Sequence, residues 1–346
     1  MSDRIERLRG LLSEPLLVTN LTNVRYLSGF ASSNAALLVP PVGPVRLFTD
    51  FRYKTAAGSV EGVELTLTKR AVLGELADLL QGRIAFEAAA VPYAGWEVLR
   101  AGGLELVPTQ GLVEGLRAVK DEDELETMRR ASAVGDRAFA RFAEERIVGR
   151  TERELAWRFQ QLLREEGGEG FSFETIVAAG PTGAKPHAEP GERPVGTGEL
   201  VVVDAGCIVG GYCSDCTRTF ATGTLPTELA EAYAVCAEAQ LAGLEAIRSG
   251  VTGIEADAAA RRVIDDTDFA GMFGHGLGHG VGLVVHEAPT LSTESKDTLA
   301  AGNVASCEPG IYIEGSGGVR IEDLVVVRDG EPELLTDFTK ELVTVS

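Results

Sequence analysis

Basic residues are scarce in this chain. In 346 residues, 32 Lys and Arg stand against 52 Asp and Glu, a formal net charge of −20. A protein that tracks a phosphate backbone needs clustered Lys and Arg to displace counterions, so nucleic acid is not an expected partner. No uninterrupted apolar run approaches the length of a bilayer-spanning helix, so no membrane partner is expected either. The opening Met1-Ser2-Asp3-Arg4-Ile5-Glu6-Arg7-Leu8 carries charges where a secretory signal has its apolar stretch. The five cysteines are an odd number and do not look like a secreted disulfide framework. The cytoplasm is the expected compartment. Pro-rich or Ser-rich linkers and short-period repeats are also missing.

What is present suits an ordinary globular protein, 45% hydrophobic and 24% charged, and long enough for two domains. Over the first hundred or so residues, short β-type runs alternate with helical ones. Leu16-Leu17-Val18, Ala36-Leu37-Leu38-Val39, Val45-Arg46-Leu47-Phe48 and Ile84-Ala85-Phe86 read as buried strands, and 72–80 as a helix between two of them. The pattern changes at Lys120-Asp121-Glu122-Asp123-Glu124-Leu125. Acids favour a helix's first turn, and Met128, Ala131, Val134, Ala138 and Phe142 then keep helical spacing. A boundary there gives an α/β domain over 1–118 and an α+β domain over 119–346. Thr151-Glu152-Arg153-Glu154 opens a second helix with a capping-box pattern. Further helices are expected at about 228–247 and 254–264.

The chemistry concentrates in two hairpins. Leu200-Val201-Val202-Val203-Asp204 leads through the turn signal Val209-Gly210-Gly211 to Asp215-Cys216-Thr217-Arg218-Thr219. A fold-back there sets Asp204 and Asp215 nearly opposite each other on one face. Val304-Ala305-Ser306-Cys307-Glu308 similarly leads through Gly315 to Val319-Arg320-Ile321-Glu322, setting Glu308 opposite Glu322. Facing carboxylates in apolar strands repel and raise at least one pKa unless a cation sits between them. One such acid alone reads best as a solvated turn carboxylate; four in two matching hairpins do not.

Three of the chain's four histidines, His275, His279 and His286, fall within twelve residues rich in glycine, and the fourth is His187. The glycines argue against a His-Glu-x-x-His helix, and no Gly-Lys-Ser/Thr follows to make a phosphate loop. One imidazole ligand with further histidines around it remains. Four carboxylates and one imidazole suit paired Mn²⁺, Co²⁺ or Zn²⁺ better than a soft thiolate site. Metals about 3.5–4 Å apart can share a water or hydroxide as nucleophile and polarise a carbonyl.

These segments resemble the metal-dependent "pita-bread" peptidases, the methionine aminopeptidase and prolidase family, and are most similar to its proline-specific branch. The matching stretches are Val203-Asp204-Ala205-Gly206, Gly211-Tyr212-Cys213-Ser214-Asp215-Cys216-Thr217-Arg218-Thr219, 275–289, Glu308-Pro309-Gly310-Ile311-Tyr312 and Gly318-Val319-Arg320-Ile321-Glu322-Asp323. Asn23-Val24-Arg25-Tyr26-Leu27-Ser28-Gly29-Phe30 and Leu47-Phe48-Thr49-Asp50-Phe51-Arg52-Tyr53 resemble the family's creatinase-like N-terminal domain. The resemblance implies an α/β creatinase-like domain followed by an α+β pita-bread catalytic domain. It implies that Asp204 holds one of two divalent ions, His279 and Glu308 the other, with Asp215 and Glu322 bridging. Mn²⁺ is the first choice of metal. Glu308 would handle the proton of the attacking water, and His187 and His286 would steady the intermediate and the leaving nitrogen. His275 would bind substrate, and Arg320 would meet the proline carboxylate or support the site.

The expected substrate is an Xaa-Pro dipeptide, and the expected assembly a homodimer. The alternative is an Xaa-Pro aminopeptidase acting on longer peptides. A methionine aminopeptidase would lack the N-terminal domain, a creatine-hydrolysing relative would lack the ligand set, and a non-catalytic peptide binder would have lost ligands. Val284 stands where many relatives carry an acid. The spacing of Cys213 and Cys216 invites a zinc or redox reading, but residues three apart in a strand point to opposite faces and no second such pair exists. Small buried filler is the expected role.

Overall fold

The computed structural model describes residues 2–346. The chain divides into two compact units, 1–117 and 118–346. The first is built on a six-stranded mixed sheet. Across the sheet its strands run Val63–Thr68, Val45–Asp50, Ala35–Val39, Leu16–Val18, Arg83–Glu87 and Glu105–Thr109. The four strands expected from the sequence lie in its interior. The two outer strands carry half-exposed, partly polar residues, and Glu105–Thr109 contains Pro108, which an edge position tolerates. Helix Val72–Leu79 packs Val72 and Leu76 against Leu17, Phe48 and Phe86.

In the second unit, helices Glu122–Ala143 and Glu152–Glu165 each begin with a full capping box, Asp121 with Glu124 and Thr151 with Glu154. The reciprocal bonds satisfy amide groups that a helix start leaves orphaned. Their apolar faces, including Ala138, Phe142, Leu155 and Phe159, share a core with Val201, Val203 and Phe220 of the first hairpin. Helices Thr227–Ala246 and Gly253–Asp265 form a second core with Ala305, Cys307, Val319 and Ile321 of the second hairpin. Each acid-bearing hairpin is thus backed by its own helix pair. Among the described residues, no helix is long and apolar enough to cross a membrane.

The first hairpin pairs Leu200–Ala205 with Cys216–Ala221, and beyond a break pairs Cys207–Val209 with Tyr212–Cys213 in the same register. Its turn is Gly210-Gly211, both at positive φ, as a two-residue turn requires. Thr217, not Asp215, stands directly across from Asp204; Asp215 lies in the break, offset by two residues. The second hairpin pairs Gly310–Ile313 with Gly317–Arg320 and Val304–Cys307 with Asp323–Val326, again in one register. Glu308 and Glu322 fall at matching positions in the gap between these ladders. Their amides leave the hairpin: Glu308 N–H donates to Leu277 O at 2.8 Å, and Glu322 N–H to Thr217 O at 3.1 Å. The second bond ties one hairpin to the other.

Candidate active site

The four acids and all four histidines line one cavity of about 440 Å³, together with Arg320 and an apolar wall that includes Phe173, Ile176, Pro186 and Val285. Carboxylate oxygens of Asp204, Asp215 and Glu322 lie within 4.8 Å of one another. His279 reaches the cluster from the strand Gly278–Gly280, which lies between Glu287–Leu291 and Val304–Cys307. Glycine at 278 is required, because a Cβ there would stand 2.1 Å from Ser306 O. His279 Nδ1 faces the Gly280 carbonyl at 3.2 Å, an oxygen that can only accept, so Nδ1 carries a proton. Nε2 is thereby turned to Glu308 Oε1 at 3.2 Å and Asp215 Oδ2 at 3.7 Å. Ser306 accepts from the His279 amide at 3.0 Å and donates to Glu308 Oε1 at 2.9 Å, tying the two residues together.

Thr217 and Arg320 hold the other side. Arg320 Nη2 donates to Asp204 Oδ2 at 2.7 Å, and Nε donates to Thr217 Oγ1 at 3.1 Å, which in turn donates to Glu322 Oε2 at 2.7 Å. Arg320 Nη1 donates to Pro186 O at 3.1 Å and to the Tyr312 hydroxyl at 3.0 Å. With these partners and 3% exposure, Arg320 is a buried brace for Asp204, Glu322 and Tyr312. Of the two roles expected for it, this geometry matches support. His275 is similarly engaged. Its Nδ1 donates to Gly276 O at 2.8 Å, so Nε2 accepts from the Tyr312 hydroxyl at 2.8 Å. Thr217, Ser306 and Tyr312 are site residues that the sequence reading missed. Alternation places Tyr312 on the face of Glu308, and a two-residue turn at Gly210-Gly211 places Thr217 opposite Asp204, so the signal was there. His286 and His187 are exposed at the cavity, and the His286 ring lies 4.2 Å from that of His279, centroid to centroid.

Burial pushes Asp215 and Glu322 well above the usual carboxylate range, and the neighbouring acids push further. Asp204 is raised by burial in spite of Arg320. Glu308 differs: burial would raise it, but the His279 hydrogen bond and charge, with Arg320, hold it at about 2. Burial would lower His279, and Glu308 reverses that to a net rise.

Residues 126–329 match the profile of metallopeptidase family M24, and residues 4–119 that of the creatinase/prolidase N-terminal domain. The chain belongs to metallopeptidase family M24. Over 352 residues this metallopeptidase is 31% identical to an Xaa-Pro dipeptidase of Pyrococcus furiosus, across 99% of this chain and 100% of the relative. An Xaa-Pro dipeptidase from Bacillus anthracis matches it in structure with a TM-score of 0.96 at 35% identity, over 99% of each chain. An X-Pro aminopeptidase from Thermotoga maritima matches with a TM-score of 0.90 at 33% identity, over 98% of this chain and 100% of that one. A creatinase N-terminal domain followed by an M24 catalytic domain is the fold expected from the sequence.

The family implies divalent metal ions, and the residues fit them. Asp204 Oδ1 and Glu322 Oε1 are buried without a hydrogen-bond partner among the described residues. Buried, unpartnered carboxylate oxygens facing other carboxylates are costly unless a cation takes them up. The thiols offer no competing site. Cys213 packs with Leu125, Met128 and Val281, whereas Cys216 packs with Phe139, Phe220 and Val203. All five cysteines are buried. Replacing Cys213 and Cys216 together by alanine is expected to cost on the order of 1 kcal/mol of stability each, with bound metal and turnover largely intact. Loss of bound metal in that double variant would overturn the filler role.

Proposed function

We propose that this metallopeptidase hydrolyses the peptide bond preceding proline in Xaa-Pro dipeptides. The observation that carries the reading is the meeting of four carboxylates, His279 and two exposed histidines at one cavity with an apolar wall. The full-length relatives named as Xaa-Pro dipeptidases support the substrate class. Asp204, Asp215, His279, Glu308 and Glu322 would hold two divalent cations. Such a pair supplies a Lewis acid and makes a water acidic enough to act as nucleophile at neutral pH.

The chain's own residues do the rest. Glu308, ionised at neutral pH and half-buried at the cavity, takes up the proton of the attacking water. Phe173, Ile176, Pro186 and Val285 give the pyrrolidine ring an apolar surface. Proline's imide nitrogen carries no N–H to anchor the substrate and leaves as a secondary amine that must be protonated. His286 and His187, exposed at the cavity, are the groups for that transfer. Arg320, Thr217 and Tyr312 keep Asp204, Glu322 and His275 in place during turnover. Mn²⁺ is the proposed metal, with Co²⁺ or Zn²⁺ able to substitute. A cytoplasmic homodimer is the proposed working form, and five buried cysteine thiols suit a reducing compartment.

Hydrolysis of Ala-Pro, Ala-Pro-Ala and Ala-Ala by Mn²⁺-loaded protein tests the proposal. Ala-Pro is expected to be cleaved at least ~10²-fold faster than either competitor. Comparable cleavage of Ala-Pro-Ala would make the protein an Xaa-Pro aminopeptidase. Inactivity on all three despite bound metal would sink the catalytic reading.

A further inference from the structure

Behind the carboxylates, facing away from the cavity, lies a second buried polar cluster that the reaction does not use. Arg218 follows Thr217, and Asp323 follows Glu322; one step along extended backbone turns a side chain to the other face. Arg218 Nη2 donates to Asp323 Oδ1 at 2.8 Å, joining the two hairpins, and the pair is 2% and 1% exposed. Arg218 Nη1 donates to the backbone carbonyls of Thr217 and Glu322, the residues whose side chains meet on the cavity side. The guanidinium's other bonds go to a segment further along the chain. Nε donates to Phe338 O and Thr339 O at 3.0 Å each, and Nη2 to Phe338 O at 2.6 Å.

That segment also closes on the acid. Asp323 accepts from Thr336 Oγ1 at 2.9 Å and Lys340 Nζ at 2.5 Å, and from Gln240 Nε2 at 2.9 Å. Asp136 Oδ1 accepts the amides of Asp337 and Phe338 at 3.0 and 2.9 Å, and the Tyr233 hydroxyl donates to Lys340 O at 3.0 Å. Residues 336–340 therefore cross the back of both hairpins and are held from both sides.

Two charges taken out of water cost several kcal/mol each unless their hydrogen bonds are met, so any movement that separates this satisfied pair is costly. Ligand atoms must keep their places within about 0.5 Å, and groups that orient them commonly govern affinity 10- to 100-fold. We propose that residues 336–340 form a strap that sets the Asp204–Asp215 hairpin against the Glu308–Glu322 hairpin, with Arg218, Asp323 and Lys340 as positioning residues for metal retention. The proposal rests on Glu322 and its neighbours being the metal ligands. By linkage, whatever the strap contributes to metal binding, the metal returns to the strap.

Lys340 is the residue to change, since its side chain is 27% exposed and its loss leaves the buried Arg218–Asp323 pair intact. Full-length wild type, Lys340→Met and Lys340→Arg would be loaded with Mn²⁺, and metal loss to excess chelator followed. Lys340→Met is expected to lose Mn²⁺ about tenfold faster, with Lys340→Arg close to wild type. Bound Mn²⁺ should slow amide exchange over 336–340 in wild type and do so much less in Lys340→Met. A merely structural role would lower the melting temperature of Lys340→Met while leaving Mn²⁺ loss and its effect on exchange unchanged, which would overturn the strap. Equal acceleration in both variants would overturn it too, because the charge would then be irrelevant. A wild type that retains no Mn²⁺ would remove the ligand assignment itself, and the strap with it.

Discussion

Glu308→Gln is expected to lower kcat on Ala-Pro by about 10³-fold, within the ~10²–10⁴ range of a lost general base. Glutamine keeps the shape, and the Ser306 hydroxyl and the amide bond to Leu277 O hold the backbone and side chain where they are. What disappears is the charge. Of the four acids, Glu308 is the one pulled down to about 2, by His279 after burial is overcome, whereas Asp204, Asp215 and Glu322 are all raised. It is thus the carboxylate that stays ionised across the neutral range in the metal-free protein. Steady-state kinetics with metal content measured on the same samples checks the expectation. Turnover within tenfold of wild type at full metal occupancy would show that another group takes the proton.

The second large effect concerns the protein stripped of metal. Unfolded, Asp204, Asp215 and Glu322 release their protons near the ordinary carboxylate values, about 4. Folded and metal-free, they keep them to higher pH. Between those limits the native state binds more protons than the unfolded state, so stability falls as pH rises. The raised His279 acts in the same direction, its contribution being present below about 6.5 and lost as pH climbs through its folded value. Glu308, held at about 2, contributes stability that is lost only as pH falls from about 4 towards that value, outside this window.

The metal-free melting temperature is therefore expected to fall between pH 5 and 8. Metal at a thousandfold excess over its Kd adds about 4 kcal/mol, or on the order of 10 °C for a unit of this size. Asp215→Asn should invert the picture: more stable than wild type without metal at pH 8, and nearly unresponsive to added Mn²⁺. A flat pH profile for metal-free wild type, or a variant that gains as much from Mn²⁺, would contradict the clustering of charge described for the site.

The facing of Glu308 and Glu322 was legible from the hairpin turn, whereas the two-residue offset of Asp215 from Asp204 was not, because a break interrupts that ladder. Glycine turns at 210–211 and 315 fix which residues face each other, and apolar strands ending in carboxylates stand out against the usual alternation. His279 could be placed near them only through the family resemblance, since its strand is three residues long and is held by packing against Ser306 and Ala305. Arg320 was the harder residue. Its position on the face of Glu322 was clear, but whether its guanidinium meets substrate or scaffold depends on Asp204, Thr217 and Pro186, more than 100 residues away, converging with Tyr312 of its own hairpin. The outer strands Val63–Thr68 and Glu105–Thr109 escaped notice because they are half-exposed, leaving little hydrophobic contrast. Arg218 and Asp323 each directly follow a site residue, Thr217 and Glu322, yet nothing local distinguishes a buried pair from two surface charges.

The unbroken register through each hairpin also governs where this chain tolerates a change of length. Extra residues at the Gly315 tip lengthen a loop and leave Glu308 across from Glu322. One extra residue at 311, inside the ladder, shifts every pair below it and turns one of the two acids to the helix side of the sheet. The spacer between Glu308 and the tip is thus counted residue by residue, as is its return to Glu322, and drift in length is confined to the turns.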